Sequence, residues 1–211
     1  MPKLSFARIE ENDTIKRQTD NEGSIKVKNT YLTGYMPLLS ILLFSLSFSI
    51  YGEGQIISFF KWIGLYKGMR EIMSAGEIKV SLLVMIALFM FMLLSALKLI
   101  AQTIHELALL FFSKDVEGES LKKVRSGSLI FFTGGTLSIF CAFSVWALVI
   151  VFFVTAFGYF VFYLYKVSAG LSVMGLVGII LYEVLSWALF LLVVIYSGFR
   201  LYQGLLASLP I

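Results

Sequence analysis

Long apolar runs, divided by short polar or glycine-rich connections, dominate the chain from Met36 onward. The clearest is 80–97, VSLLVMIALFMFMLLSAL, which holds eighteen residues without a charge. A hydrocarbon core of about 30 Å needs about 20 helical residues to cross it. Backbone N–H groups without partners are costly there, so a span must be a helix or part of a closed barrel. Barrel strands are about ten residues long and alternate in polarity; this run does neither and reads as a transmembrane helix. No helix breaker separates it from 98–112, where the apolar spacing becomes that of an amphipathic helix. At 3.6 residues per turn, Ser95, Lys98, Gln102, His105 and Glu106 share an arc of about 100°. Ile100, Ile104, Leu107, Ala108 and Phe111 take the opposite side. The pattern predicts one long helix that leaves the bilayer near Lys98. Its polar stripe reads either as a face turned to solvent and headgroups or as a polar pathway between helices.

The same reasoning places spans at about 36–52, 80–100, 136–165 and 171–199. Pro37 suits the first turn of the first span, where its missing N–H is not needed. Tyr31, Tyr35 and Tyr51 mark its two interfaces. Gly52-Glu53-Gly54 reads as a hinge. After it, Phe59, Trp62, Ile63, Tyr66, Met69 and Met73 share one face of 55–73, beside Lys67 and Arg70. That stretch is either a helix lying in the interface or the protruding end of the first span. Ser74-Ala75-Gly76 closes it.

Residues 113–127, SKDVEGESLKKVRSG, form the most polar internal connection. The following 128–165 are uncharged for thirty-eight residues. As one helix they would measure about 57 Å, nearly twice a hydrocarbon core. Two passes joined by a turn are one solution, although 146–155 has no Gly, Pro, Asn or Asp to make it. The other, preferred here, breaks the helix at Gly134-Gly135 and leaves one tilted crossing. Gly135, Ser138 and Ala142 make a ridge for close helix contact, and Tyr159, Tyr163 and Tyr165 an aromatic belt. After a turn at 166–170, the last span carries Gly175 and Gly178 for close approach, Glu183 in its interior and Arg200 at its end. The apolar 201–211 is expected on the membrane surface.

The fold class is therefore all-α: an integral membrane helical bundle of about four transmembrane helices, with five as the alternative. The second helix extends past the bilayer, and an interfacial helix can accompany it. Composition agrees. The chain is 59% hydrophobic and 14% charged, against about 25% charged in soluble domains. Residues 1–30 hold six Lys/Arg and five Asp/Glu without apolar periodicity, which predicts a mobile tail ahead of a transmembrane domain over 31–211. No apolar core of signal-peptide length follows the first basic residues. A valine codon can start translation, so Val27 is a candidate start. Lys98 aside, eleven Lys/Arg fall on the side of the N-terminus and five on the other in the four-span threading, which puts the N-terminus in the cytoplasm. Five spans return the same totals. The basic residues thus serve orientation and lipid headgroups, and nucleic acid is not an expected partner. The expected partners are the bilayer and another membrane protein or a second copy.

Catalytic chemistry is not legible. His105-Glu106 resembles half of a zinc-protease HExxH, but Leu109 holds the place of the second histidine and the chain has one His. No Walker-type phosphate loop and no spaced triad is present, and one Cys excludes an intrachain disulfide or Cys-based metal cluster. No catalytic, cofactor or metal residue is assigned. The candidate intramembrane polar site is Glu183 with Lys98, Gln102, His105 and Glu106. Glu183 lies about 16 Å along its helix from Ser172, near the midplane. A charge there costs several kcal/mol, so the carboxyl is protonated or partnered. Three readings stay open: a protonated acid bonded to Ser, Thr or Tyr; a proton or cation site; and an ion pair with Lys98, from which it is offset by about 10 Å. The function expected is a non-enzymatic accessory or scaffold subunit, with a small oligomeric transporter or channel as alternative.

One stretch carries a family signal. Lys28-Asn29-Thr30-Tyr31-Leu32-Thr33-Gly34-Tyr35-Met36-Pro37 resembles the start of the YufK-like membrane proteins of Bacillus and its relatives. The likeness runs from about Lys28 to the C-terminus and leaves the first 26 residues as an extension, in keeping with a start at Val27. It implies an uncharacterised multi-pass protein of a bacterial plasma membrane and no known activity.

Overall fold

The computed structural model describes residues 34–113 and 127–208. The expected tail over 1–30, the start at Val27 and nearly all of the connection at 113–127 lie outside the described residues. Six helices make up the rest: α1 Gly34–Trp62, α2 Leu65–Ile72, α3 Ala75–Phe112, α4 Ser128–Phe140, α5 Val145–Ser168 and α6 Val173–Ser208. The all-α expectation holds, and α1, α3, α5 and α6 are long and apolar enough to cross a membrane. At 38 residues, α3 is about 57 Å long and exceeds a hydrocarbon core, as its pattern predicts.

Serines begin three of these helices. Ser74 and Glu77 form a capping box: the Ser74 N–H donates to Glu77 Oε2 at 2.8 Å and the Glu77 N–H to Ser74 Oγ at 3.3 Å. Ser144 starts α5, its carbonyl accepting from the Leu148 N–H at 3.1 Å. At the head of α6, Ser172 Oγ accepts from the Gly175 N–H at 3.2 Å. The Ser74 and Ser172 side chains thereby supply partners for backbone groups a helix end leaves open.

The chain divides into two compact units, one drawn from Met1–Leu88 and Arg125–Ala156, the other from Phe89–Val124 and Phe157–Ile211. In the first, α1 runs antiparallel to the start of α3, with Gly52 against Ile86 and Ile57 packed with Ile78 and Leu82. It runs parallel to α4: Gly135 meets Ser40 and Leu43, and Ser47 Oγ bonds Ser138 Oγ at 2.8 Å. Buried Ser40, Ser45 and Ser49 return their hydroxyls to carbonyls three or four residues back, so each buried hydroxyl has a partner within α1. The α4–α5 pair is a hairpin in which Gly134 abuts Thr155.

Two expected breaks move. The helix continues through Gly52-Glu53-Gly54, because an interior glycine costs only about 1 kcal/mol and Gly52 brings α1 close to α3. The break falls instead at Gly64, whose φ of 81° is a left-handed conformation that ends a helix readily. The separate helix is therefore only Leu65–Ile72. Tyr66, Met69 and Met73 pack on the Ile57 cluster, while Trp62 stays 81% exposed. Likewise Gly134-Gly135 does not break the chain after 128. Both glycines are buried inside α4, and the turn is 141–144, directly before α5. The single helix expected over 136–165 is thus replaced by two helices. The expected surface segment after Leu201 is also helical, as α6 continues to Ser208.

Candidate functional site

The second unit brings the end of α3, the end of α5 and the start of α6 together. Glycines set the α3–α6 approach. A methyl on Gly175 would stand 3.1 Å from the Phe112 carbonyl oxygen, and one on Gly178 would overlap the Phe112 ring. The helices pass antiparallel from that contact. His105 is seven residues back from Phe112, about 10 Å by helical rise, and Glu183 five on from Gly178, about 8 Å. The two side chains meet: His105 Nδ1 lies 2.6 Å from Glu183 Oε1.

Two tyrosines one turn apart on α5 wall the imidazole. Tyr163 stacks on it at 4.4 Å and 15°, and Tyr159 at 6.0 Å and 29°. The Tyr163 hydroxyl donates a long bond of 3.4 Å to the His105 carbonyl and is close enough to interact with the carboxyl. Ala108, Leu109, Tyr163, Val167 and Ile179 form the apolar core beside the pair. Glu183 is 1% exposed and His105 12%. Glu183 Oε2 is buried without a hydrogen-bond partner among the described residues. Nδ1 either donates to a carboxylate or accepts from a carboxylic acid, and one proton serves both arrangements.

Residues 53–210 match the family of unknown function DUF5366. The chain belongs to this family. It is 46% identical over 185 residues to the uncharacterised membrane protein YufK of Bacillus subtilis (strain 168), covering 88% of this chain and all of that relative. No solved structure matches the chain. The likeness expected from 28–37 is thereby met, and the protein is a membrane protein of a DUF5366 family whose function is unknown.

All five residues of the sequence-derived site fall within the region matched to DUF5366, but they divide in space. Only His105 and Glu183 come together. Gln102 Nε2 donates to Glu106 Oε1 at 2.9 Å on an exposed face of α3. Lys98 is also exposed and makes no ion pair among the described residues. It lies seven residues, about 10 Å, from the level of His105, so the expected offset from Glu183 is present and no ion pair bridges it.

The polar stripe hid the pair because the four-span threading counts the depths of α3 and α6 from the same membrane face, whereas α6 starts beside the end of α3. That counting put His105 beyond the bilayer and Glu183 at the midplane; one hydrogen bond puts both at a single level. Tyr159 and Tyr163, expected in an interfacial belt, line the histidine instead, and Tyr163 is fully buried. The available signal was their four-residue spacing, which places two rings on one helix face.

Proposed function

We propose that the protein is a non-enzymatic multi-pass protein of the bacterial plasma membrane that packs its helices against a membrane-protein partner or another copy of itself, as an accessory or scaffold subunit. One observation carries this. Every residue of α6 from Leu191 to Ser208 is exposed, about 27 Å of helix with no face covered. Lipid suits its apolar side chains, but the stretch also contains Gly198, Arg200, Gln203 and Gly204. Small residues and interhelical hydrogen bonds are the means by which membrane helices associate. Mass measurement of the detergent-solubilised protein tests the reading. An oligomer or a stoichiometric partner is expected; a strict monomer with nothing co-purifying refutes it.

The threading that goes with this reading has five passes. The antiparallel α4–α5 hairpin supports it: α4, with 13 residues shorter than a full hydrocarbon core, is read as part of the return pass between α3 and α5, which run in the same direction. With eleven Lys/Arg against five, the N-terminus and the connection at 113–127 lie in the cytoplasm and the C-terminus outside.

A second reading, a small oligomeric transporter, is favoured by one observation: the buried carboxyl of Glu183, whose Oε2 has no hydrogen-bond partner among the described residues. Glu183→Gln keeps the size of the side chain and removes only its titration. Loss of proton or cation flux into proteoliposomes, with normal folding, supports transport; unchanged flux removes it.

A further inference from the structure

We propose that His105 and Glu183 together form a binding site for one exchangeable proton, held between α3 and α6. This stands apart from both readings above, since its test reads protonation rather than mass or flux.

The geometry selects a proton over a metal ion. A cation held by oxygen needs about six ligands, yet no group of three or more His, Cys, Asp or Glu able to hold a metal exists among the described residues. The space between the carboxyl and the imidazole is closed by a 2.6 Å contact, shorter than the usual range of charge-assisted N–H···O bonds. Neutral histidine beside an ionised Glu183 carries one negative charge. Adding one proton makes the pair neutral, either as imidazolium–carboxylate or as imidazole–carboxylic acid. Burial favours the neutral pair, because an uncompensated charge is costly there.

The groups facing the pair leave this balance to the pair itself. From α5 come Tyr159 and Tyr163, both uncharged phenols. From α6 the neighbour along the chain is Tyr182, which packs on the apolar core. On α3, Glu106 turns outward and is held by Gln102. Lys166, one turn beyond Phe162, has its ammonium over the Phe162 and Tyr165 rings.

Histidine supplies the way in. Its Nδ1 is committed to Glu183, while Nε2 makes no hydrogen bond among the described residues and the side chain keeps 12% of its surface. A proton arriving at Nε2 can be matched by release of the Nδ1 proton to Glu183 Oε1. That transfer breaks one N–H bond, forms one O–H bond and leaves the imidazole neutral.

The chain has a single histidine, so nitrogen-15 histidine labelling of the full chain in lipid bilayers reports His105 alone. Solid-state NMR across a pH series then reads the imidazole, and infrared difference spectroscopy of the same samples reads the carboxyl. In the wild type, both signals are expected to change in a single coupled transition. Glu183→Gln should abolish the infrared change and move the imidazole midpoint by about tenfold in proton concentration or more; Glu106→Gln should move it less. Independent carboxyl and imidazole midpoints in the wild type would overturn the proposal, and that readout needs no variant to fold. An imidazole midpoint that is the same in wild type and Glu183→Gln would overturn it too.

Discussion

Gly134→Ala isolates the packing that joins α4 to α5. A Cβ built on Gly134 would overlap the Thr155 Oγ1 and lie 2.9 Å from Thr155 Cβ. Rotating Thr155 gives no relief, because Cβ is the branch point and does not move with χ1. Its hydroxyl is moreover bonded to the Val151 carbonyl at 2.7 Å. The helices must therefore separate. Forcing one methyl into a packed contact costs about 1–3 kcal/mol. Separation also strains the adjoining Ser47–Ser138 bond, worth about 0.6 kcal/mol by the average for membrane helices. Against this stands the helix preference of Ala over Gly, about 1 kcal/mol. Gly198→Ala provides the reference, since Gly198 is also mid-helix and meets nothing within 4 Å. The propensity gain is common to both variants, so the difference between them is packing alone, about 2–3 kcal/mol. Reversible unfolding in mixed micelles measures it. A Thr155→Ala change should recover part of the loss in the Gly134→Ala background and none in the Gly198→Ala background. Equal stability of the two glycine variants would refute the account of α4 as a helix held by contact.

Three further outcomes follow from the same structure. His105→Ala leaves Glu183 buried without its partner and should cost about 3 kcal/mol, whereas Gln102→Ala on the exposed face should stay within about 0.5 kcal/mol; comparable losses in thermal unfolding would contradict the assignment of His105 to the interior. Ser74→Ala removes half of the capping box and should cost about 1 kcal/mol, seen as faster hydrogen exchange at the amides of Ala75 to Glu77 and not in α6. Single cysteines at residues 20 and 208, on a Cys141→Ser background, should label from opposite sides of the membrane; labelling from one side would exclude five passes.

Residue type and spacing by themselves determined the class of this protein. Uncharged runs of span length leave the backbone no option but helix in lipid, so the all-α membrane fold and the length of α3 were legible. The use to which glycine would be put was not. Gly52, Gly134 and Gly135 read as breaks because glycine permits them, yet each lies inside a helix against a neighbouring side chain. Among the described residues, Gly64 alone has the left-handed backbone. The turn at 141–144 contains neither Gly nor Pro, the residues by which a sequence ordinarily announces a break. Glu183 stood out because an acid in an apolar run demands a partner, but periodicity says which residues share a face of one helix and nothing about the register between two. That register comes from Gly175 and Gly178 closing on Phe112. Only this contact puts His105, rather than Lys98, at the level of Glu183, because a hydrogen bond acts over about 3 Å and one turn of slip between helices moves a side chain by 5.4 Å.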